Sequence, residues 1–350
     1  MKALRKIKAG EGGVQLFNDM PIPEPAAGEV RIKIIYAALC GTDLHIRNDA
    51  FPVQMPVTIG HEYSGIIDAV GEGVSELAVG DRVVSMTAAG YCGHCDLCRA
   101  GLYMLCKEKK GMGSARDGAF AEYMTYPADR IFKIPEGVSM KAATISEPLA
   151  CVVRAVLERT TINAGDYVYV SGPGVMGQFA AQLAKAAGAY VTVGGTNIDK
   201  ERLALAKQIC ADDVVDIMDE NAVEHAERVT GGHMYDVAFE CSGSPRAIDT
   251  CIDILKKTGH FQQVALYGGK PVSVDLDKML MKEITISNSY ASERTSWQRL
   301  LNLMTAGKIQ LEPYCSKILS LDEWEEAMEM FENKEGYKIL FQINPDPDKN

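Results

Sequence analysis

The chain has 350 residues, 47% hydrophobic and 24% charged, with a formal net charge of −11. No apolar run approaches the roughly 18–20 residues that span a bilayer, and no basic block offsets the acidic balance, which argues against a transmembrane protein and against a nucleic-acid partner. The first 13 residues carry four Lys/Arg with no apolar stretch after them, so they read as no secretory signal, and a cytoplasmic protein of two domains is expected from this length.

Through residue 130, short β-rich runs such as 30–37 and 65–70 alternate with Gly and Pro, which predicts a β-rich, loop-heavy domain. After Pro135 the character changes. A helical stretch over 141–158 leads to the apolar run 167–170, a glycine turn and the Ala-rich segment 178–187, in the order strand, tight turn, helix. Strands at 190–193, 214–217, 237–240 and 260–266, with helices over 201–209 and 246–255, continue the alternation and imply a parallel sheet with right-handed crossovers. Helices over 296–305 and 321–332 and a strand over 338–343 are expected to rejoin the first domain, and the polar tail 344–350 is expected to be unstructured. No repeat of 20 to 50 residues recurs.

Four of the ten cysteines lie close together. Cys92, Cys95, Cys98 and Cys106 form C-x-x-C-x-x-C-x7-C, a spacing that lets four thiolates converge on one tetrahedral ion, and zinc is the natural occupant. Four sulfur ligands leave no open position, so this zinc is structural. His94, between two of the cysteines, is a possible competitor for the metal; a solvent-facing imidazole is the plainer reading.

A second donor set is dispersed: Cys40 in Cys40-Gly41-Thr42-Asp43-Leu44-His45, His61 and Glu62 after Gly60, and Glu147 before Pro148 and Leu149. Thiolate, imidazole and carboxylate suit a catalytic zinc with one position left for an alcohol oxygen, whose proton is then lost near neutral pH. Taken singly, a lone Cys or His is more often a core or surface residue, and spacing alone does not join these.

Gly172-Pro173-Gly174-Val175-Met176-Gly177 matches G-x-G-x-x-G directly between a predicted strand and a predicted helix, the context that makes the motif a dinucleotide site. The second strand ends not in a carboxylate but in Gly194-Gly195-Thr196-Asn197. A 2′-phosphate is then not repelled, and Thr196, Asn197, Lys200 and Arg202 can donate to it, so NADP is favoured. Two alternatives keep NAD open: Thr196 bonding the ribose 2′-hydroxyl, or Asp199 reaching back to it.

Together these motifs resemble the zinc-dependent medium-chain alcohol dehydrogenases. Glu147-Pro148-Leu149-Ala150-Cys151 and Asp117-Gly118-Ala119-Phe120-Ala121-Glu122-Tyr123 are most similar to the polyol and sorbitol dehydrogenase branch, with threonine dehydrogenase-like features over 42–46. The resemblance implies an α/β protein with a GroES-like β-rich catalytic domain, split between 1–150 (with a zinc lobe at 90–110) and 289–350, around a doubly wound Rossmann domain at 151–288. It further implies a homodimer or homotetramer, and substrate and nicotinamide meeting in a cleft. Thr42 would pass the alcohol proton through the cofactor ribose towards His45. Asp43 would orient His61, and Glu62 would ligate zinc directly, through water, or only in some states. Ile46 stands where sorbitol dehydrogenases commonly have Tyr, and Ser289-Tyr290 where they have Arg-Tyr, which points away from sorbitol itself.

The expected activity is therefore reversible oxidation of a secondary alcohol, a polyol or sugar-derived alcohol, by zinc and NAD(P). A threonine-type or simple alcohol dehydrogenase shares the same machinery. A non-catalytic dinucleotide-binding sensor is the alternative of another class, and the joint presence of Cys40, His61 and Glu147 argues against it.

Overall fold

Period-two alternation builds the first long strand, β1 (Glu29–Ala38). Val30, Ile32 and Ile34 are fully buried while Arg31 and Lys33 between them face partly outward, the pattern of a half-covered strand. From Ile35 onward every side chain is buried, because both faces are covered there. The computed structural model describes residues 1–269 and 271–349. After β1 come α1 (Gly41–Arg47), β2 (Glu62–Val70), β3 (Arg82–Ser85), β4 (Tyr123–Pro127), β5 (Ile131–Lys133) and α2 (Ser146–Leu157). An alternating series follows: β6 (Tyr167–Ser171), α3 (Val175–Ala186), β7 (Tyr190–Gly195), α4 (Lys200–Ile209), β8 (Asp213–Asp216), α5 (Ala222–Thr230), β9 (Tyr235–Glu240), α6 (Pro245–Ile254), β10 (Leu255–Gln263), α7 (Leu276–Met281) and β11 (Thr285–Asn288). The chain closes with α8 (Arg294–Thr305), β12 (Cys315–Leu319), α9 (Trp324–Glu332) and β13 (Lys338–Gln342).

Two compact units result. Unit 1 comprises Met1–Pro148, Glu293–Ala306 and Leu311–Asn350, and unit 2 comprises Leu149–Ser292 and Gly307–Gln310. The main sheet of unit 1 runs β5-β3-β2-β1-β13-β12, with β4 also paired to β1. Its pairs are antiparallel except β12 with β13. Its core joins Val30, Ile32, Ile34, Phe120, Tyr126 and Phe341, with Phe120 and Phe341 edge to face at 5.2 Å.

Unit 2 holds one six-stranded sheet in the order β8-β7-β6-β9-β10-β11, and every pair is parallel. The order reverses at β6, the point where the chain switches from one side of the sheet to the other and where doubly wound folds bind ligands. Val168, Val170, Val191, Val193 and Ala238 are buried along these strands, as expected of a sheet covered on both faces. The fold class is thus a GroES-like β domain with a Rossmann sheet.

Two parts of the sequence reading are corrected here. The segment 344–349 is not a loose tail: Asn344 Nδ2 donates to the carbonyls of Ile34 (2.7 Å) and Glu122 (3.1 Å), Tyr36 Oη donates to Asp346 Oδ2 at 3.0 Å, and Arg82 pairs with Asp348 at 2.9 Å. Polar residues that read as solvated are engaged with backbone and charge; Asn350 lies outside the described residues. The strand expected at 260–266 is β10, which starts at Leu255 and ends at Gln263. Among the described residues no helix is long and apolar enough to cross a membrane.

Candidate active site and metal centres

Cys40 is the N-cap of α1, and Asp43, three residues on, reaches back so that the Cys40 N–H donates to its Oδ2 at 2.9 Å. This capping arrangement fixes the Cys40 backbone at the helix start. His61 and Glu62 enter from the neighbouring strand, at the head of β2, where Glu62 pairs with Ala38 at the end of β1. Gly60 directs them: its φ of +89° suits glycine, and a Cβ there would meet the Phe120 ring at 2.3 Å. Phe120 lies in the segment from Asp117 to Tyr123, which runs against this corner through Ala119 N–H to Gly60 O (3.0 Å) and Phe120 N–H to Ile59 O (3.0 Å).

The ligand atoms of Cys40, His61 and Glu62 all lie within 4.8 Å of one another. Asp43 is fully buried, its Oδ1 is 3.8 Å from His61 Nδ1, and no hydrogen bond reaches that oxygen. Glu62 is fully buried too, with Oε2 unpartnered. Burial raises the Asp43 carboxyl above its ordinary value although His61 opposes it. Burial disfavours a charged His61, yet the Cys40 thiolate, Asp43 and Glu147 outweigh it and lift the imidazole well above its usual value. A site that gathers protons in this way is one whose negative charge a divalent cation neutralises. The chemistry of the donors and the orphaned Glu62 oxygen both fit zinc.

Glu147, in the first turn of α2, stands outside that cluster, although its charge is felt at His61 and at Lys338. Thr42 Oγ1 lies 3.8 Å from Cys40 Sγ, and His45 is exposed one helical turn later. Ile46 is buried in the core of unit 1. Ser289 Oγ is buried, and Tyr290 is half exposed with its carbonyl held by Arg154.

In the cysteine lobe, Cys92 Sγ is 3.9 Å from Cys98 Sγ and 3.7 Å from Cys106 Sγ, and all four sulfurs lie within 4.8 Å of one another. A tetrahedron with metal–sulfur bonds of about 2.3 Å has edges of about 3.8 Å, so the fit to zinc is direct. The backbone N–H groups of His94 and Cys95 lower the Cys92 thiol to about 6, while burial pushes Cys98 up to about 12. His94 and Glu108, both exposed, form a second, looser group with Cys92, which is how His94 comes within reach of a metal.

In unit 2 the glycine turn joins β6 to α3. A Cβ at Gly172 (φ +96°) would meet Ser242, and one at Gly177 would lie 1.9 Å from Gly172 O, whereas one at Gly174, the N-cap of α3, would meet nothing within 4 Å. The outer glycines close the turn and the middle one leaves its outer surface bare, the cradle that a pyrophosphate needs. Pro173 is buried, and Val175 and Met176 form the first turn of α3. After β7, Asp199 Oδ2 accepts from Thr196 N–H (3.1 Å) and Thr196 Oγ1 (3.0 Å), and Arg202 Nη1 lies 3.8 Å from Asp199 Oδ1. Asn197 and Lys200 are exposed.

Three residues of consequence escaped the sequence reading. Buried Gln178 donates to Pro173 O (3.2 Å) and Arg202 O (2.8 Å), tying the glycine turn to α4. Glu293 caps α8 while its carboxylate accepts from Tyr103 and Met104 N–H (3.1 and 3.2 Å), which docks the cysteine lobe. Lys338 contacts Glu62. A lysine at the head of a buried strand was the available signal, since buried lysines are almost always paired.

Residues 26–136 match the alcohol dehydrogenase GroES-like domain and residues 175–306 the zinc-binding dehydrogenase family. The chain is 37% identical over 340 residues to sorbitol dehydrogenase of Halalkalibacterium halodurans, covering 97% of this chain and 98% of that protein. It is 34% identical over 331 residues to D-arabitol-phosphate dehydrogenase of Enterococcus avium, covering 94% of each. Among solved structures, a zinc-binding dehydrogenase of Sinorhizobium meliloti 1021 bound to NADP superposes with a TM-score of 0.89 at 30% identity, over 97% of this chain and 98% of that one. The chain therefore belongs to the zinc-dependent medium-chain alcohol and polyol dehydrogenase family.

Proposed function

We propose that this enzyme oxidises a secondary alcohol of a polyol or sugar-derived substrate to the ketone, with NADP as the favoured acceptor and two zinc ions, one catalytic and one structural. The observation that carries the reading is the trio Cys40, His61 and Glu62, the first two part-buried and Glu62 fully buried with one carboxylate oxygen unpartnered.

Zinc held by Cys40, His61 and Glu62, with Glu147, outside the trio, as a further candidate carboxylate, would supply a Lewis acid for the alcohol hydroxyl, and a nicotinamide dinucleotide held at Gly172, Gly174 and Gly177 would supply the hydride acceptor. Asp43 holds His61 in orientation. Thr42 Oγ1 would take up the alcohol proton while its own proton passes through the cofactor ribose hydroxyl towards His45, an exposed imidazole on the same helix face that can release a proton to solvent. Cys92, Cys95, Cys98 and Cys106 hold the structural ion. For the cofactor, Asp199 is already occupied by Thr196 and faces Arg202, which supports Arg202, Lys200 and Asn197 as partners for a 2′-phosphate.

Exposed apolar residues in unit 2, Leu276, Leu280, Met281 and Ile286, accompany the edge strand β11, whose described partner is β10 alone. This supports a homodimer, or a tetramer built from it, joined along that edge. All ten cysteines are free, which suits a reducing, cytoplasmic setting.

The test is a panel of polyols, their phosphates, threonine and simple alcohols offered to zinc-replete protein with NADP⁺ and with NAD⁺, followed by nicotinamide absorbance. A polyol signal that is stronger with NADP⁺ and lost in Cys40→Ser supports the reading. Turnover of threonine or simple alcohols alone reassigns the substrate, and binding of dinucleotide without turnover of any of them points to the sensor alternative.

A further inference from the structure

Lys338 opens β13 and is buried. Continuing the antiparallel register of Leu340 with Ala38 and Phe341 with Ala37 sets Lys338 opposite Cys40. Its ammonium donates to Glu62 Oε1 at 2.5 Å and to the Leu39 carbonyl at 3.0 Å. One cation therefore grips both the carboxylate of the trio and the peptide that leads into the thiolate. The other Glu62 oxygen, Oε2, is buried and has no hydrogen-bond partner. A buried carboxylate with one oxygen clamped and the other without a hydrogen bond is restrained, and one of its oxygens lies within 4.8 Å of the ligand atoms of Cys40 and His61.

We propose that Lys338 is a positioning residue for the catalytic metal: it restrains Glu62 by Oε1 so that a single oxygen is offered to the ion. The proposal rests on reading the trio as the catalytic zinc site. A carboxylate free to chelate through both oxygens would occupy the position that a substrate hydroxyl needs, since a catalytic zinc works by keeping one position open. The ammonium also adds a fixed positive charge to a pocket that gathers Cys40, Glu62 and Asp43, so the donor set does not depend on the metal alone for charge balance.

The experiment uses full-length protein with zinc kept at the four-cysteine lobe and Co²⁺ introduced at the Cys40 site, whose visible absorption weakens as four-coordinate cobalt becomes five-coordinate. Wild type is compared with Lys338→Met, Lys338→Arg, Glu62→Gln and the double variant Glu62→Gln/Lys338→Met. Lys338→Met is expected to weaken the cobalt bands and to lower kcat about 10- to 100-fold, the usual effect of removing a residue that holds a ligand in place. Lys338→Arg, which keeps the cation, restores most of both. In the Glu62→Gln background the Lys338→Met effect disappears, because the residue acts through Glu62. A wild-type spectrum and kcat in Lys338→Met overturn the proposal, as does an equal change with and without Glu62. If Lys338→Met does not fold, the neutral double variant and Lys338→Arg decide the matter by the same spectrum. Failure of the underlying site is distinguishable: wild type then takes up no cobalt that Cys40→Ser loses, and the proposal falls with it before any Lys338 variant is compared.

Discussion

Trp297 is fully buried in unit 1, its ring stacked nearly parallel to Phe132 at 5.4 Å, with the Arg294 guanidinium 5.5 Å from the Phe132 ring. Its replacement by alanine is expected to cost about 3–5 kcal/mol, the range for large aromatic truncations in a packed core, and denaturant unfolding measures it. Arg202 carries a different expectation. If it meets a 2′-phosphate, Arg202→Ala raises KM for NADP⁺ while leaving KM for NAD⁺ nearly unchanged, and steady-state kinetics with both cofactors separates the two. At this scale legibility depended on sequence separation. The four lobe cysteines and the glycine turn announce themselves because their partners are a few residues away. The pair of Lys338 and Glu62 joins positions 276 residues apart, and no local pattern records that. Ile46, where the sequence departs from the sorbitol dehydrogenase pattern, is buried in the core of unit 1, a placement that the motif match by itself does not record.

Asp236 lies at the start of β9 and stitches three neighbours together: Tyr167 N–H at 2.7 Å, Lys256 Nζ at 2.5 Å and His233 Nε2 at 3.2 Å. Burial alone would raise this carboxyl, but the bonds from Lys256, Tyr167 and His233 outweigh it and hold it below its ordinary 3.8. A depressed folded-state pKa means that the unfolded chain takes up the proton first. The stabilisation is complete above pH 3.8 and is lost as pH falls through the lower folded value. The difference in Tm between wild type and Asp236→Asn is therefore expected to be largest near neutrality and to close in strong acid, as thermal melts across pH will register. Periodic elements such as β1, β6 and α3 were readable because burial writes their pattern into the sequence. Helix α5 is short, and its buried positions include His225 and Thr230, polar types that do not announce a core face, while β12 has Ser316 to Ile318 exposed. Their place is set by a capping Asn221 in one case and by pairing with β13 in the other.

Across the whole molecule, the four lobe cysteines belong to unit 1 and the six-stranded parallel sheet to unit 2. Chelation that strips the four-cysteine lobe is expected to loosen the 92–106 loop without unfolding unit 2, whose sheet contains none of those ligands; hydrogen exchange resolved along the chain tests this. If the proposed dimer forms along β11, Ile286→Lys, at its exposed edge, is expected to shift the protein towards monomer in analytical ultracentrifugation while leaving its far-UV spectrum unchanged. The nested path of the chain has a further consequence, for the order of manufacture. The strand bearing Lys338 belongs in the interior of the unit 1 sheet, between β1 and β12, yet a ribosome reaches it only after translating all of β6 to β11. Strands β1 to β5 therefore emerge with an open seam and must wait for their central neighbour through most of synthesis. Until codon 338 has been read, Glu62 has no ammonium beside it, so an ion delivered earlier would meet an unfinished pocket.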